Sequence, residues 1–257
     1  MRSWHLTGLE FAALWEDMRE SGQLPRPFIF TCRIPVYRDY LEAKRAAGAA
    51  VRDRLGGEFE EVLDVVARPD IRIVVNGVNL AADGAKTRVH AARRGSDGYL
   101  LEQVWGEPGE HGGEFIVREY GVVELGAAVV ERIPDAEPGR LGAIDLSGRV
   151  DEGMDHEYGQ SLVSEPTEDQ ARYRAEQFLR APVTTIGTIF VGQGVSRFGP
   201  RHAARRVLEW RDLRDDGRYV IAGQGHPMAF GVDARGLTAR IDSELAEVVR
   251  AIKDERR

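Results

Sequence analysis

The chain has 257 residues, a formal net charge of -7, and 42% hydrophobic against 30% charged residues, the balance of a globular protein with ample material for a core. That charge excludes duplex nucleic acid as a standing partner, because non-specific DNA affinity rests on Lys and Arg neutralising phosphates. No apolar run reaches the length of a membrane span, so no membrane insertion is expected, and the single cysteine excludes an intramolecular disulfide.

A short strand is expected around Trp4 to Thr7, then a helix from about Leu9 to Arg19 with Phe11, Leu14, Trp15 and Met18 on one face. This start shows no signal-peptide core and reads as a cytoplasmic protein. Ser21-Gly22 ends the helix, and Leu24-Pro25-Arg26-Pro27 is a stiff extended connector. Cys32, inside the apolar stretch Phe28-Ile29-Phe30-Thr31-Cys32, reads as a buried structural thiol. A longer helix follows from about Tyr37 to Leu55, with Tyr37, Leu41, Val51 and Leu55 inward, and Gly56-Gly57 stops it.

From there one order of elements occurs twice. The first copy has a helix with Phe59, Val62, Leu63 and Val66, then Pro69 and strands over Ile71 to Val78, Thr87 to Arg94, Tyr99 to Trp105 and Glu114 to Tyr120. A helix with Leu125, Val129 and Ile133 closes it. The second copy has a helix from about Glu168 to Arg180, then Pro182 and strands over Ile186 to Val191, Ala203 to Arg211, Tyr219 to Ala222 and Met228 to Val232. Its closing helix places Leu237, Ile241, Leu245, Val248 and Ile252 on one stripe. Asp97-Gly98-Tyr99 and Asp216-Gly217-Arg218-Tyr219 mark matching turns; the competing reading is that such punctuation coincides by chance. Between the copies lie one strand candidate, Ala143 to Leu146, and an acidic stretch with Asp151, Glu152, Asp155, Glu157 and Glu165. The expected fold is α+β: a quasi-twofold duplicated unit with a central antiparallel sheet and helical bundles packed on it. It forms a single unit, residues 1–257, with an N-terminal half to about 133, a linker and acidic loop over about 134–166, and a C-terminal half from about 167.

The chemistry-bearing residues are scattered. Gly192-Gln193-Gly194 lacks the third glycine of a dinucleotide fingerprint, and no Walker-type Gly-Lys-Ser/Thr occurs. The six histidines stand singly, without metal-ligand spacing, and there is no Gly-x-Ser-x-Gly elbow. The sequence therefore assigns no catalytic, cofactor-binding or metal-binding residue. A denser segment, Arg197 to Arg214, interleaves arginines with Phe198, Val207 and Trp210. It reads either as an amphipathic strand with a solvated face or as a protein-binding surface, since Arg and aromatics are enriched in interface hot spots.

The opening residues, Trp4-His5-Leu6-Thr7, Leu9-Glu10-Phe11, Leu14-Trp15-Glu16 and Leu24-Pro25-Arg26-Pro27, resemble the start of the EspG family of type VII (ESX) secretion-associated proteins. The Asp216-Gly217-Arg218-Tyr219 turn and the terminal amphipathic helix resemble that family's C-terminal region. The resemblance implies a non-enzymatic cytosolic chaperone that binds helical secretion substrates, PE–PPE heterodimers in mycobacteria, and shields their apolar tip. It also implies the quasi-twofold sheet, with binding through the sheet face and the C-terminal helical bundle. It supplies no short binding motif, so Phe198, Arg205, Trp210 and Leu237 stand as candidate partner-facing residues; for Phe198, Trp210 and Leu237 a place in the core is the competing reading. A monomer or weak homodimer is expected. The alternative from another class is a small-molecule-binding protein or enzyme with a pocket between the halves.

Overall fold

The structure, a computed structural model, describes residues 2–19, 23–104, 113–147, 166–223 and 225–257. Strand β1 (Ser3–Leu6) leads into helix α1 (Gly8–Arg19). A reciprocal pair of hydrogen bonds sets that helix start: the Glu10 N–H donates to Thr7 Oγ1 at 3.2 Å, and the Thr7 N–H donates to Glu10 Oε2 at 2.7 Å. Helices α2 (Tyr37–Leu55) and α3 (Glu58–Ala67) follow, parted by Gly56 at φ 69, where a side chain would be strained. Next come β2 (Ile71–Asn79), β3 (Ala85–Arg94), β4 (Asp97–Gln103), β5 (Phe115–Gly121) and the short α4 (Leu125–Val130). The second run is β6 (Ile144–Asp145), α5 (Pro166–Arg180), β7 (Val183–Gln193), β8 (Arg205–Leu213), β9 (Arg218–Ala222), β10 (Met228–Gly231) and α6 (Ala234–Glu255).

All these strands join one antiparallel sheet in the order β1-β5-β4-β3-β2-β7-β8-β9-β10-β6. At its centre β2 and β7 pair from Ile71 with Gln193 to Asn79 with Thr185, so the ladder is centred on Val75 and Ile189. A twofold axis through that pair carries β2 onto β7, β3 onto β8, β4 onto β9 and β5 onto β10. It also relates Tyr99 to Tyr219, both buried on the same side of the sheet, so the extra residue of the second turn lies among residues 213–217 and the position of Gly98 is taken by Arg218. That arginine is itself buried, donating to the Asp212 carboxylate at 2.7 and 2.8 Å and to the Pro134 carbonyl.

Strand alternation sends two sets of side chains to opposite faces. On one face Ile73, Val75, Val89, Leu100, Ile189, Leu208, Trp210 and Val220 pack against Leu125 and Val129 of α4 and Leu237, Ile241 and Val248 of α6. The other face is covered only toward its ends. The first half meets Phe11, Trp15, Val51, Phe59 and Leu63 from α1, α2 and α3; the second meets Phe178 of α5. Between these two covers, among the described residues, no helix lies on the central strands.

Several expectations are corrected. The fourth helix stops at Val130 rather than Ile133, because Pro134 disfavours helical geometry just before it; Ile133 stays in the core. Tyr37 is 72% exposed and packs on Tyr40, because α2 buries fully only Gly48 and Val51 and its first turn lies beyond the helix it packs on. Cys32 is half-buried in an irregular stretch rather than enclosed. The β8 strand begins at Arg205 instead of Ala203, after a turn that ends at residue 203. Residues 134–147 lie along the second half: the Gly139 N–H donates to the Arg218 carbonyl at 2.9 Å, and the Leu141 N–H to the Tyr219 hydroxyl at 2.8 Å. Ser21-Gly22, Trp105, His111, His156 and the acidic residues from Asp151 to Glu165 lie outside the described residues.

Candidate partner-binding groove

The uncovered face is built from cross-strand rows. His90, Val74, Phe190 and Val207 stand side by side on β3, β2, β7 and β8. The next row is Ala92, Arg72, Gly192 and Arg205, and the row on the other side includes Asn76, Thr188 and Glu209. Above them opens a cavity of about 800 Å³, walled by Trp15, the connector Gln23 to Pro27, and Val66, Ala67 and Pro69 at the end of α3. The connector is fixed there because the Trp15 indole N–H donates to the Gln23 carbonyl at 2.9 Å.

The lining contains Arg26, Arg72 and Arg205 and no carboxylate, in a chain whose acidic residues outnumber its basic ones. Arg72 places its guanidinium 5.7 Å from the centroid of the Phe190 ring. His90 is 4% exposed, with Nδ1 2.7 Å from the Arg26 carbonyl oxygen. A carbonyl only accepts, so Nδ1 carries the hydrogen and Nε2 is left as a bare acceptor; it has no partner among the described residues. Burial pulls the His90 pKa down to about 4, helped by the Arg72 charge and opposed by the Arg26 carbonyl, so the ring is neutral at pH 7.

The sequence candidates divide cleanly. Arg205 lines the groove and also donates to the Pro200 carbonyl at 2.7 Å, tying down the loop between β7 and β8. Phe198 projects from that loop at 61% exposure, with Val195 beside it at 76%. The loop is clamped to the end of α6: Ser196 Oγ and Gln193 Nε2 donate to the Glu255 carboxylate at 2.7 and 2.9 Å, which holds Glu255 below the usual carboxylate range. Trp210 and Leu237 are corrected to core residues, each 0% exposed. Leu237 sits in the first turns of α6 against the sheet, and the Trp210 ring lies over Gly77 and Gly187, where an added Cβ would come within 2.6 and 2.1 Å of it.

Sequence reasoning missed Arg72, Val74, His90 and Phe190. The available signal was apolar residues among the outward-pointing set of two central strands, where Val74 and Phe190 break the polar alternation. Among the described residues no group of three or more His, Cys, Asp or Glu could hold a metal, and no helix is long and apolar enough to cross a membrane.

The EspG family profile matches residues 7–243. The chain belongs to the EspG family. The fold of this EspG-family chain is similar to that of the Mycobacterium tuberculosis type VII secretion system chaperone EspG5, solved in complex with a PE25–PPE41 dimer. The TM-score is 0.56 at 15% identity, covering 95% of this chain and 96% of that one. No curated protein matches the chain.

Proposed function

We propose that this EspG-family chain is a cytoplasmic, non-catalytic chaperone of a type VII secretion route that binds a PE–PPE-like helical pair. It seats the pair's apolar tip in the groove over β2 and β7 and keeps the pair soluble for export. The observation that carries this reading is the groove itself: an open cavity of about 800 Å³ over the central strands, where Trp15, Val74 and Phe190 give apolar contact and the connector gives a wall against which a helical tip can be seated. The EspG5 chaperone, with the same fold, was solved with a PE25–PPE41 dimer, which supports the class of partner. Domain boundaries fit the same reading, with residues 1–257 acting as one unit, as a monomer or weak homodimer.

The groove lies on the seam between the halves, as a small-molecule site would. Among the described residues its lining, however, holds no Asp, Glu, Cys or Lys, so His90 has no carboxylate to orient it and no second titrating side chain beside it. The deciding experiment is co-expression with PE–PPE-type pairs from the same genome, followed by size-exclusion chromatography with light scattering. One pair is expected to co-elute with a single copy of the chain. Asn76→Trp, which fills the groove from an exposed strand position, is expected to abolish co-elution without lowering the melting temperature. Co-elution of no pair, or unchanged binding by Asn76→Trp, would overturn the reading.

A further inference from the structure

One side chain of the groove has a hydrogen-bonding capacity that can be met in one direction only. His90 lines the cavity at 4% exposure, and its Nδ1–H is committed to the Arg26 carbonyl at 2.7 Å. Nε2 therefore presents a lone pair, shielded from solvent and without a partner among the described residues. Such an acceptor is rare in a folded chain, because the water it gave up on burial has not been replaced. The neutral polar groups Asn76 and Thr188 also line the cavity; they face each other on β2 and β7 and are exposed. An amide and a hydroxyl can each donate or accept, so both adapt to whatever they meet. His90 cannot, since moving its proton to Nε2 would set Nδ1 and the Arg26 carbonyl against each other as two acceptors.

We infer that His90 is a specificity-determining residue of the groove: its Nε2 accepts a hydrogen bond from an uncharged polar side chain, an amide, hydroxyl or indole, on the tip of the bound helical pair. This rests on the chaperone reading and deepens it, because it names one group the accepted pair must carry beside its apolar contacts. Val74 stands next to His90 in its cross-strand row and Phe190 next to Val74, so the donor sits at one end of an apolar row. Nε2 is shielded while the groove is empty, so the donor meets it as the surrounding side chains part. The chemistry at that point decides which tips fit. A carboxylate or carbonyl brings an acceptor against an acceptor, and an aliphatic group leaves the lone pair unmet. A lysine or arginine must shed its hydration to meet a neutral ring. By rejecting such tips, one fixed acceptor sorts pairs that share the same apolar surface.

The test uses the full chain and the pair recovered by co-expression. Imidazole nitrogen NMR reads Nε2 directly, with its signal assigned by its absence from the spectrum of His90→Gln. Saturating wild type with the pair is expected to move that signal upfield, as for a ring nitrogen that gains a hydrogen bond. Calorimetry on His90→Leu, which has no acceptor, is expected to show about 10-fold weaker binding. His90→Gln, whose amide can hold the Arg26 carbonyl and still offer an oxygen, is expected to recover most of that loss. The amide, hydroxyl and indole side chains of the tip are then replaced by alanine one at a time. One of them is expected to cost about 10-fold against wild type and nothing further against His90→Leu, the signature of a direct pair. Circular dichroism shows that the variants are folded, and the NMR shift in wild type stands whatever they do. An Nε2 signal that stays in place in the saturated complex, His90→Leu binding as wild type does, or a tip with no residue coupled to His90 overturns this inference and leaves the chaperone reading standing. Failure of every pair to bind wild type overturns both.

Discussion

The two halves share a strand plan but not a use of space. On the first side of the twofold axis Ala91 stands beside Ile73, which pairs with Val191; on the other side Trp210 stands beside Gly187, which pairs with Gly77. The axis carries each of the first three onto the matching one of the second, so volume is moved from two aliphatic side chains into one indole. The opposite face differs as well. His90 is buried beneath the Arg26 carbonyl, whereas its counterpart Glu209 is exposed, because among the described residues the connector Gln23 to Pro27 has no match on the other side. A symmetric sheet thus supports two unlike surfaces, and the candidate groove lies where they meet.

The largest expected effect tests the volume exchange. Trp210→Ala should cost about 4 kcal/mol in urea unfolding, since two glycines leave nothing to refill the space. The same measurement on Ala91→Gly should show about 1 kcal/mol, the cost of a glycine within a strand. Acid tests the buried imidazole. A histidine whose folded pKa lies near 4, below its unfolded value of about 6.5, contributes stability that is complete above the unfolded value. That stability is lost as pH falls toward the folded value, because the unfolded chain then binds the proton first. His90→Gln should therefore lose about 3 kcal/mol less than wild type between pH 7 and pH 4, as read from paired denaturation curves. An equal loss in both proteins would refute the assignment.

Gly187→Ala should cost about 2 kcal/mol, because the new methyl group drives into the Trp210 ring. The double substitution Gly187→Ala with Trp210→Leu should recover part of that loss. At the start of α6 the Gly236 N–H donates to Asp233 Oδ1 at 2.6 Å, so Asp233→Ala should cost about 1 kcal/mol. The smallest stability effect is expected from Phe198→Ser, within about 0.5 kcal/mol, because the ring is exposed on its loop. Its effect on pair binding would show whether the long loop of the second half, absent from the first, joins the interface.

Much of this plan was legible in the residues. The turns at Asp97 and Asp216 and the stripe Leu237, Ile241 and Val248 each act locally, so each left a local pattern; the cap between Thr7 and Glu10 shows in the sequence reading only as the end of a strand and the start of a helix. The alternation on β2 also placed Ile71, Ile73 and Val75 on one face. What was not legible is which face of the central strands stays open. That depends on where α1, α3 and α5 land, and landing sites are set by contacts far apart in sequence. Trp210 shows the same limit. An arginine-rich strand with an aromatic residue reads as an interface, and only Gly77 and Gly187, one of them in the other half, reveal that the indole is directed inward. The groove residues Arg72, His90 and Phe190 come from three strands that no single stretch of sequence brings together.

The ladder between β2 and β7 has a mechanical consequence. The nine residues of β2 pair without interruption across the seam, and their central residues, Val75 and Ile189, have no accessible surface. A join of this kind cannot gape like a jaw, because opening it would break the middle of the sheet. If the groove receives a partner as proposed, capture and release therefore fall to side-chain rearrangement on the floor and to the connector Gln23 to Pro27 that walls it. On the proposed function the chain is a fixed anvil with an adjustable edge, and a partner comes and goes with the halves still joined.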